Sequence, residues 1–148
     1  MTPEYVVSIV VIGILGIWDI RVRRIPMIVL LVYAGSGILY NIIVRNGAEI
    51  GEYIMGCVPG CAALLLAFGT REKIGKGDGY TMMAVGIWMG IHRILLIGLI
   101  SLGLLFVGAV VCWVSRVASG KYVNGSGEIP FIPYLWGALV IAGMISVQ

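Results

Sequence analysis

Two aspartates, 59 positions apart, are the residues of this sequence best suited to chemistry. Asp19 ends one apolar segment, and Asp78 follows the glycine-rich stretch 75–77 and precedes another apolar segment. A carboxylate at the edge of a membrane-spanning segment is costly, and it is usually retained for a partner or a function. The two aspartates therefore predict a shared site with acid–base chemistry.

The chemistry expected of such a pair is hydrolysis by an activated water. If the two segment ends are neighbours, the Asp19 and Asp78 carboxyls face each other, and two like charges cannot both ionise cheaply, so the pair shares a proton. One aspartate as base and the other as acid then activate a water against a peptide carbonyl. No nucleophilic side chain is needed.

The residues around Asp78 are candidates for substrate binding. Gly75 and Gly77 are expected to let the backbone take strained turn conformations, and with Gly79 to let a substrate strand approach closely. An extended peptide would then pair with exposed backbone, as in β-strand addition. Lys76 is a candidate for steering a substrate carbonyl or for lowering the cost of ionising Asp78.

A structural role for each aspartate is the alternative. Asp19 alone would fit a helix-end residue paired with Arg21 or Arg23, and Asp78 alone would fit the N-cap of the next helix. The presence of both, with the Gly-Lys-Gly-Asp stretch at 75–78, favours a site over two independent structural roles.

Composition indicates an integral membrane protein. Of 148 residues, 60% are hydrophobic and 11% are charged, with a mean hydropathy of +1.06. Soluble domains carry about 25% charged residues. The length suits a single transmembrane domain covering residues 1–148, and the 22 glycines suit close helix packing in lipid.

Hydropathy predicts an all-α bundle of about six transmembrane helices, because a span needs about 20 apolar residues. The predicted spans are 4–20, 26–44, 50–68, 79–91, 94–115 and 130–147. The fourth is short and is expected to begin with unwound backbone, and Pro59 is expected to kink the third. The pairs Gly56/Gly60 and Gly86/Gly90 predict close helix packing.

The basic residues predict the orientation. Eight of the ten fall in the odd-numbered loops: Arg21, Arg23, Arg24, Arg71, Lys73, Lys76, Arg116 and Lys121. Only Arg45 and Arg93 fall in the even-numbered loops. The positive-inside rule then places the odd loops in the cytoplasm, both termini outside, and Asp19 and Asp78 together on the cytoplasmic side of the cell membrane.

Nucleic-acid binding and a zinc centre are both disfavoured. The net charge of +3 is not arranged as a basic stripe interleaved with aromatics. The three cysteines, Cys57, Cys61 and Cys112, lie inside apolar segments and form no CxxC pair, and His92 is the one histidine. A zinc site needs about four nitrogen or sulfur ligands. We therefore expect no metal centre of this type.

Three segments, in this order, resemble the motifs of type IV prepilin peptidases. The stretch 19–26, Asp-Ile-Arg-Val-Arg-Arg-Ile-Pro, is similar to the first aspartate motif of that family. The stretch 75–78 resembles its GxGD motif and is followed by Met-Met-Ala-Val-Gly at 82–86. The stretch 129–135 is similar to the segment that opens the final helix of the family.

This resemblance implies a membrane aspartic endopeptidase with Asp19 and Asp78 as its catalytic pair. Members of the family remove the short basic leader of prepilin-like proteins at the cytoplasmic face, usually just after a glycine, and they need no metal or cofactor for that cleavage. Type IV pilus assembly and protein secretion are the processes implied. The lipid bilayer and prepilin-like proteins are the expected partners, and a homo-oligomer is left open.

The sequence also departs from the family pattern. Met27 stands where the family often has Asn, and Tyr80 stands where a Lys commonly follows the GxGD aspartate by two. The sequence is similar to the short form of the family, without the cysteine-containing N-terminal extension of the bifunctional members. Those members also methylate the new N-terminus; the sequence favours a peptidase-only enzyme, and methylation is left open.

Three other functions are left open by the sequence. A related GxGD protease would cut inside the substrate's transmembrane helix. A small proton-coupled transporter would use Asp19 and Asp78 as a proton relay, although carriers tend to bind substrate near the midplane. A non-enzymatic assembly factor would not need the carboxylates.

His92 and Arg93 are predicted to lie outside, far from the aspartates, in a structural role.

Overall fold

A computed structural model describes residues 2–22, 25–44, 50–69, 75–118 and 131–146, and these residues form helices without any strand. Four segments are long and apolar enough to cross a membrane: Pro3–Val22, Met27–Val44, Gly51–Gly69 and Lys76–Ser115. The predicted all-α membrane bundle is confirmed. The helices are α1 (Pro3–Val22), α2 (Met27–Val44), α3 (Ile50–Met55), α4 (Val58–Gly69), α5 (Lys76–Ala118) and α6 (Ile132–Ile145).

Gly90 divides α5 into two arms that run in opposite directions. Its backbone has φ 77° and ψ 171°, outside the helical region, and a positive φ is a conformation that glycine adopts without steric cost. The Met82 Cε atom lies 3.0 Å from where a Cβ on Gly98 would be. In a continuous helix, the rise from residue 82 to residue 98 would be about 24 Å. The first arm (76–89) and the second arm (91–118) therefore pack side by side, as the predicted fourth and fifth helices.

The predicted third helix is interrupted just before its proline. Turn residues Gly56 and Cys57 separate α3 from α4, and Pro59 lies in the first turn of α4. A proline is tolerated there because the first N–H groups of a helix have no intrahelical acceptor. The break predicted from Pro59 is confirmed, and it lies on the N-terminal side of that residue.

Glycines bring the α3–α4 segment into backbone contact with the first arm of α5. A Cβ on Gly56 would collide with the Gly86 carbonyl, and one on Gly60 would lie 2.8 Å from the Gly79 carbonyl oxygen. Close packing is thus confirmed for Gly56, Gly60 and Gly86. Gly90 has a different role, because it forms the reversal between the two arms.

The remaining helices surround α5 and α1. Trp88 of the first arm is stacked against Tyr33 and Tyr40 of α2, with ring centroids 5.5 and 5.3 Å away. On the other side, α6 packs along α1: the Trp136 Nε1–H donates to the Ile9 carbonyl at 3.0 Å, and a Cβ on Gly13 would lie 2.8 Å from the Trp136 Nε1. The core is formed where these helices meet.

An ion pair connects α1 to the start of the second arm. The Arg93 Nη1 lies 2.7 Å from the Glu4 Oε2, and the Glu4 side chain is only 5% exposed. Arg93 follows the reversal at Gly90, so this pair marks the end of the bundle opposite to the first turn of α5. Helix α1 begins beside Arg93 at Glu4 and runs toward the opposite end of the bundle. It therefore brings Asp19 to the end where Asp78 lies.

This ion pair gives a prediction about stability. Arg93→Met removes the positive charge beside the buried Glu4 carboxylate, and we expect a loss of about 2 kcal/mol in the free energy of unfolding. Glu4→Gln/Arg93→Met removes both charges and should recover part of the loss. Thermal unfolding in detergent measures both variants. Equal melting temperatures for the single and the double variant would contradict the assigned role of the pair.

One prediction about the glycine-rich stretch is wrong. Residues 76–79 form the first turn of α5 rather than an unwound segment, because the Asp78 N–H donates to the Gly75 carbonyl at 3.1 Å and starts the helix there. Among the described residues, Gly90 is the glycine with a positive φ. Gly75 and Gly77 therefore do not take the strained turn conformations expected of them.

Candidate active site

Asp78 lies in the first turn of α5, where the local sequence fixes it. The Thr81 hydroxyl is buried and donates to the Gly77 carbonyl at 2.8 Å, which ties the first turn together one residue before Asp78. A Cβ on Gly75 would lie 3.1 Å from the Asp78 Oδ2. The carboxylate thus folds back over Gly75, and a side chain at that position would crowd it.

Asp19 lies in the last turns of α1 and is half-buried, as Asp78 is. The charge on Asp19 acts on the Asp78 carboxyl, so the two carboxyl groups are close enough to interact electrostatically. The structure therefore brings together the two aspartates that are 59 positions apart in the sequence. Two interacting carboxyls at one end of a helical bundle are a donor set for general acid–base chemistry.

The glycines on either side of Asp78 are covered by the chain itself. A Cβ on Gly77 would collide with the Ile25 Cδ1, and one on Gly79 would lie 2.7 Å from the Leu64 Cγ. Ile25 comes from the link between α1 and α2, and Leu64 comes from α4. Both glycines are therefore packed against side chains of the protein itself, whereas Gly75 is exposed. Substrate binding at Gly75, Gly77 and Gly79 stays a prediction.

The Lys76 ammonium is positioned by an aromatic ring near the end of α4. Its Nζ lies 4.9 Å from the centroid of the Phe68 ring, a geometry in which the ring face attracts the cation. The contact holds a positive charge in the same helical turn as Asp78. Lys76 stays a candidate for substrate contact.

Other residues singled out from the sequence have separate locations. Arg21 is exposed in the last turn of α1, His92 is exposed after the reversal, and Tyr80 is partly buried against the core. The Arg93 ion pair with Glu4 agrees with the structural role predicted for that residue. Several predicted topology residues lie outside the described residues: Arg23, Arg24, Arg45, Arg71, Lys73 and Lys121.

Sequence reasoning did not single out Ile25, Thr81 or Asn41. Asn41 is 5% exposed in the apolar helix α2, and its side-chain amide donates to the Ile87 carbonyl at 2.8 Å. That carbonyl lies three residues before Gly90, so Asn41 supplies a donor close to the point where the helix is interrupted. A lone amide in an apolar helix is the signal that could have identified it.

The part of the chain that the structure describes contains no group of three or more His, Cys, Asp or Glu side chains arranged to hold a metal ion. Its three cysteines are free thiols.

The fold and the site together define a class: a polytopic helical membrane protein with two interacting carboxyls at one end of its bundle. Within that class the chain belongs to the Type IV leader peptidase family, whose model matches residues 6–112. The matched region includes Asp19 and Asp78, most of α1 and α5 and all of α2 to α4, and it ends before α6. No curated protein and no solved structure matches the chain. The resemblance seen in the sequence is confirmed, and family membership indicates a peptidase.

Proposed function

We propose that this protein is an aspartic endopeptidase that removes the leader from prepilin-like proteins at the cytoplasmic face of the cell membrane. The observation that carries the proposal is the electrostatic interaction between the Asp19 and Asp78 carboxyls at one end of the bundle, in a member of the leader peptidase family. Both residues come from segments similar to the aspartate motifs of that family.

In the proposed mechanism one carboxyl is protonated and the other is ionised. The ionised aspartate takes a proton from a water, whose oxygen attacks the scissile carbonyl, while the protonated aspartate donates its proton to the carbonyl oxygen. The tetrahedral intermediate then collapses, and the departing amine takes a proton from the dyad. The products are the free leader with a carboxylate and the mature protein with a new N-terminus.

The length of the first arm supports a site below the membrane surface. Asp78 lies twelve positions before the reversal at Gly90, which corresponds to a helical rise of about 18 Å, whereas the hydrocarbon core is about 30 Å thick. With Gly90 at the outer surface, Asp78 lies on the order of 10 Å inside the inner boundary. A peptide bond between a basic leader and an apolar helix can reach that depth while the helix stays in lipid.

The position of the cut tests the proposal. The protein is co-expressed with a panel of prepilin-like substrates, and the masses of the substrate fragments locate the cleaved bond. We expect a single cut after a glycine at the junction of leader and apolar helix. A cut inside the apolar helix would instead identify an intramembrane protease, and intact substrates beside a folded protein would favour the transporter or the assembly factor.

A further inference from the structure

Ile25, which precedes α2, packs against Gly77 in the first turn of α5. A Cβ on Gly77 would collide with the Ile25 Cδ1 and would lie 3.3 Å from its Cγ1 and 3.8 Å from its Cβ. Ile25 is six residues beyond Asp19, and Gly77 immediately precedes Asp78. The contact therefore joins the chain that follows one aspartate to the residue beside the other.

We propose that Ile25 is a positioning residue for the two aspartates: its side chain seats on Gly77 and sets where Asp78 lies relative to Asp19. This inference rests on the proposed function for its effect on cleavage. It assigns Gly77 a role different from backbone strain or substrate pairing, because the glycine is required to make room for the Ile25 methyl group.

The backbone of Ile25 is well placed to act as a fixed support. Pro26 follows it and restricts it to extended conformations, and the Pro26 carbonyl accepts from the Val29 N–H at 3.0 Å, which attaches this point to the start of α2. Branching at Cβ also restricts the Ile25 side chain. A methyl group added at Gly77 would therefore displace the first turn of α5, and Asp78 with it.

On the opposite side of Asp78, Leu64 prevents a compensating shift. A Cβ on Gly79 would lie 2.7 Å from the Leu64 Cγ and 3.1 Å from its backbone nitrogen. The first turn of α5 is thus held between Ile25 and Leu64, with Asp78 between the two contacts. Displacement of a reacting group by about 1 Å can cost about 10²-fold in rate. A change at the contact between Ile25 and Gly77 that shifts Asp78 would therefore slow cleavage.

A methyl exchange tests the role in cleavage. Gly77→Ala should lower kcat by roughly 10–100-fold with KM little changed, because the carboxyls move relative to each other. Ile25→Val removes the colliding Cδ1 and alone should cost less than about threefold. The double variant Ile25→Val/Gly77→Ala moves one methyl from one side of the contact to the other, and it should return kcat to within about threefold of wild type.

The matched control is Gly103→Ala, in the second arm of α5, where an added Cβ meets nothing within 4 Å. It should keep the wild-type kcat. Full activity of Gly77→Ala alone would overturn the proposal. So would a folded double variant that is as slow as Gly77→Ala.

A second measurement tests the contact without any cleavage assay. With Cys57, Cys61 and Cys112 replaced by Ser, the pair Ile25→Cys/Gly77→Cys should oxidise readily with diamide, which takes up the two thiol hydrogens. The 3.8 Å between the Ile25 Cβ and a Cβ on Gly77 is the typical disulfide separation. Blocked labelling by a maleimide mass tag reports the bond, and Ile25→Cys/Gly79→Cys is the control pair expected to stay reduced.

The two measurements distinguish a failure of the proposed function from a failure of the positioning role. A wild-type protein that cleaves no substrate, with the disulfide formed as expected, would refute the proposed function and leave the contact established. Absence of the disulfide in the folded Ile25→Cys/Gly77→Cys protein would refute the positioning role itself, whatever the cleavage result.

Discussion

Asp78→Asn is expected to abolish leader cleavage while leaving the protein folded. The amide is nearly the same size as the carboxyl but cannot give or take a proton at neutral pH, so the dyad loses its acid–base function. The expected fall in kcat/KM is about 10³-fold or more. Asp19→Asn should cause a loss of the same order, and the double variant should be little worse than either, because the two carboxyls act as one unit. Quantified cleavage by the purified protein in vesicles measures these effects.

The control for this prediction is another acid-to-amide change. Glu49 falls between the predicted second and third spans, in a loop that the positive-inside rule predicts on the opposite side of the membrane from the dyad. Glu49→Gln should therefore keep wild-type cleavage. The chain has Asp19 and Asp78 as its two aspartates, so no other aspartate can substitute for them. Cleavage by Asp78→Asn at more than a tenth of the wild-type rate would refute the assigned catalytic pair.

Gly86→Ala is expected to have the largest effect on folding. A Cβ at Gly86 would collide with the carbonyl of Gly56 and would lie 3.4 Å from the Cys57 nitrogen. These neighbours are backbone atoms, which cannot rotate away as a side chain can, so the α3–α4 segment must separate from the first arm of α5. We expect a loss of about 3 kcal/mol and a clear drop in melting temperature, measured by thermal unfolding in detergent.

Gly103→Ala serves as the control for Gly86→Ala, since the same change in the same long helix α5 meets open space. It should be neutral or slightly stabilising, because alanine favours a helix over glycine by up to about 1 kcal/mol. Gly56→Ala should be as harmful as Gly86→Ala, because the contact is mutual. Equal melting temperatures for Gly86→Ala and Gly103→Ala would show that the helices do not pack as closely as described.

The positions of the first helices and two of the close helix contacts were predictable, because hydropathy and glycine spacing are visible in short stretches of the sequence. The spans 4–20 and 26–44 agree with α1 and α2 within a few residues. Gly56 and Gly86 were predicted to allow close packing, and they do. Gly90 could not be distinguished from its neighbour Gly86 in the sequence, because a glycine in a packed helix and a glycine that reverses a helix have the same signature.

The interaction between Asp19 and Asp78 was predictable from the sequence, whereas the packing around them was not. Asp19 and Asp78 stand out because a carboxylate in an apolar chain is expensive. The partners of Gly77 and Gly79 were not predictable, because they depend on how α2 and α4 pack against α5, which no local pattern specifies. The helical first turn at 76–79 was missed for a different reason. The acceptor that starts it is the backbone carbonyl of Gly75, and no recognisable side-chain cap marks the start of the helix in the sequence.

Cleavage of a prepilin-like substrate by the intact protein, read by mass, is the most direct test of the central claim. Wild type, Asp19→Asn and Asp78→Asn are each co-expressed with the same substrate, and the mass of the substrate is measured in isolated membranes. We predict that wild type releases the leader after a glycine and that both variants leave the substrate whole at equal protein levels. Removal of the leader by either variant at the wild-type level would contradict the proposal that these two aspartates perform the cleavage.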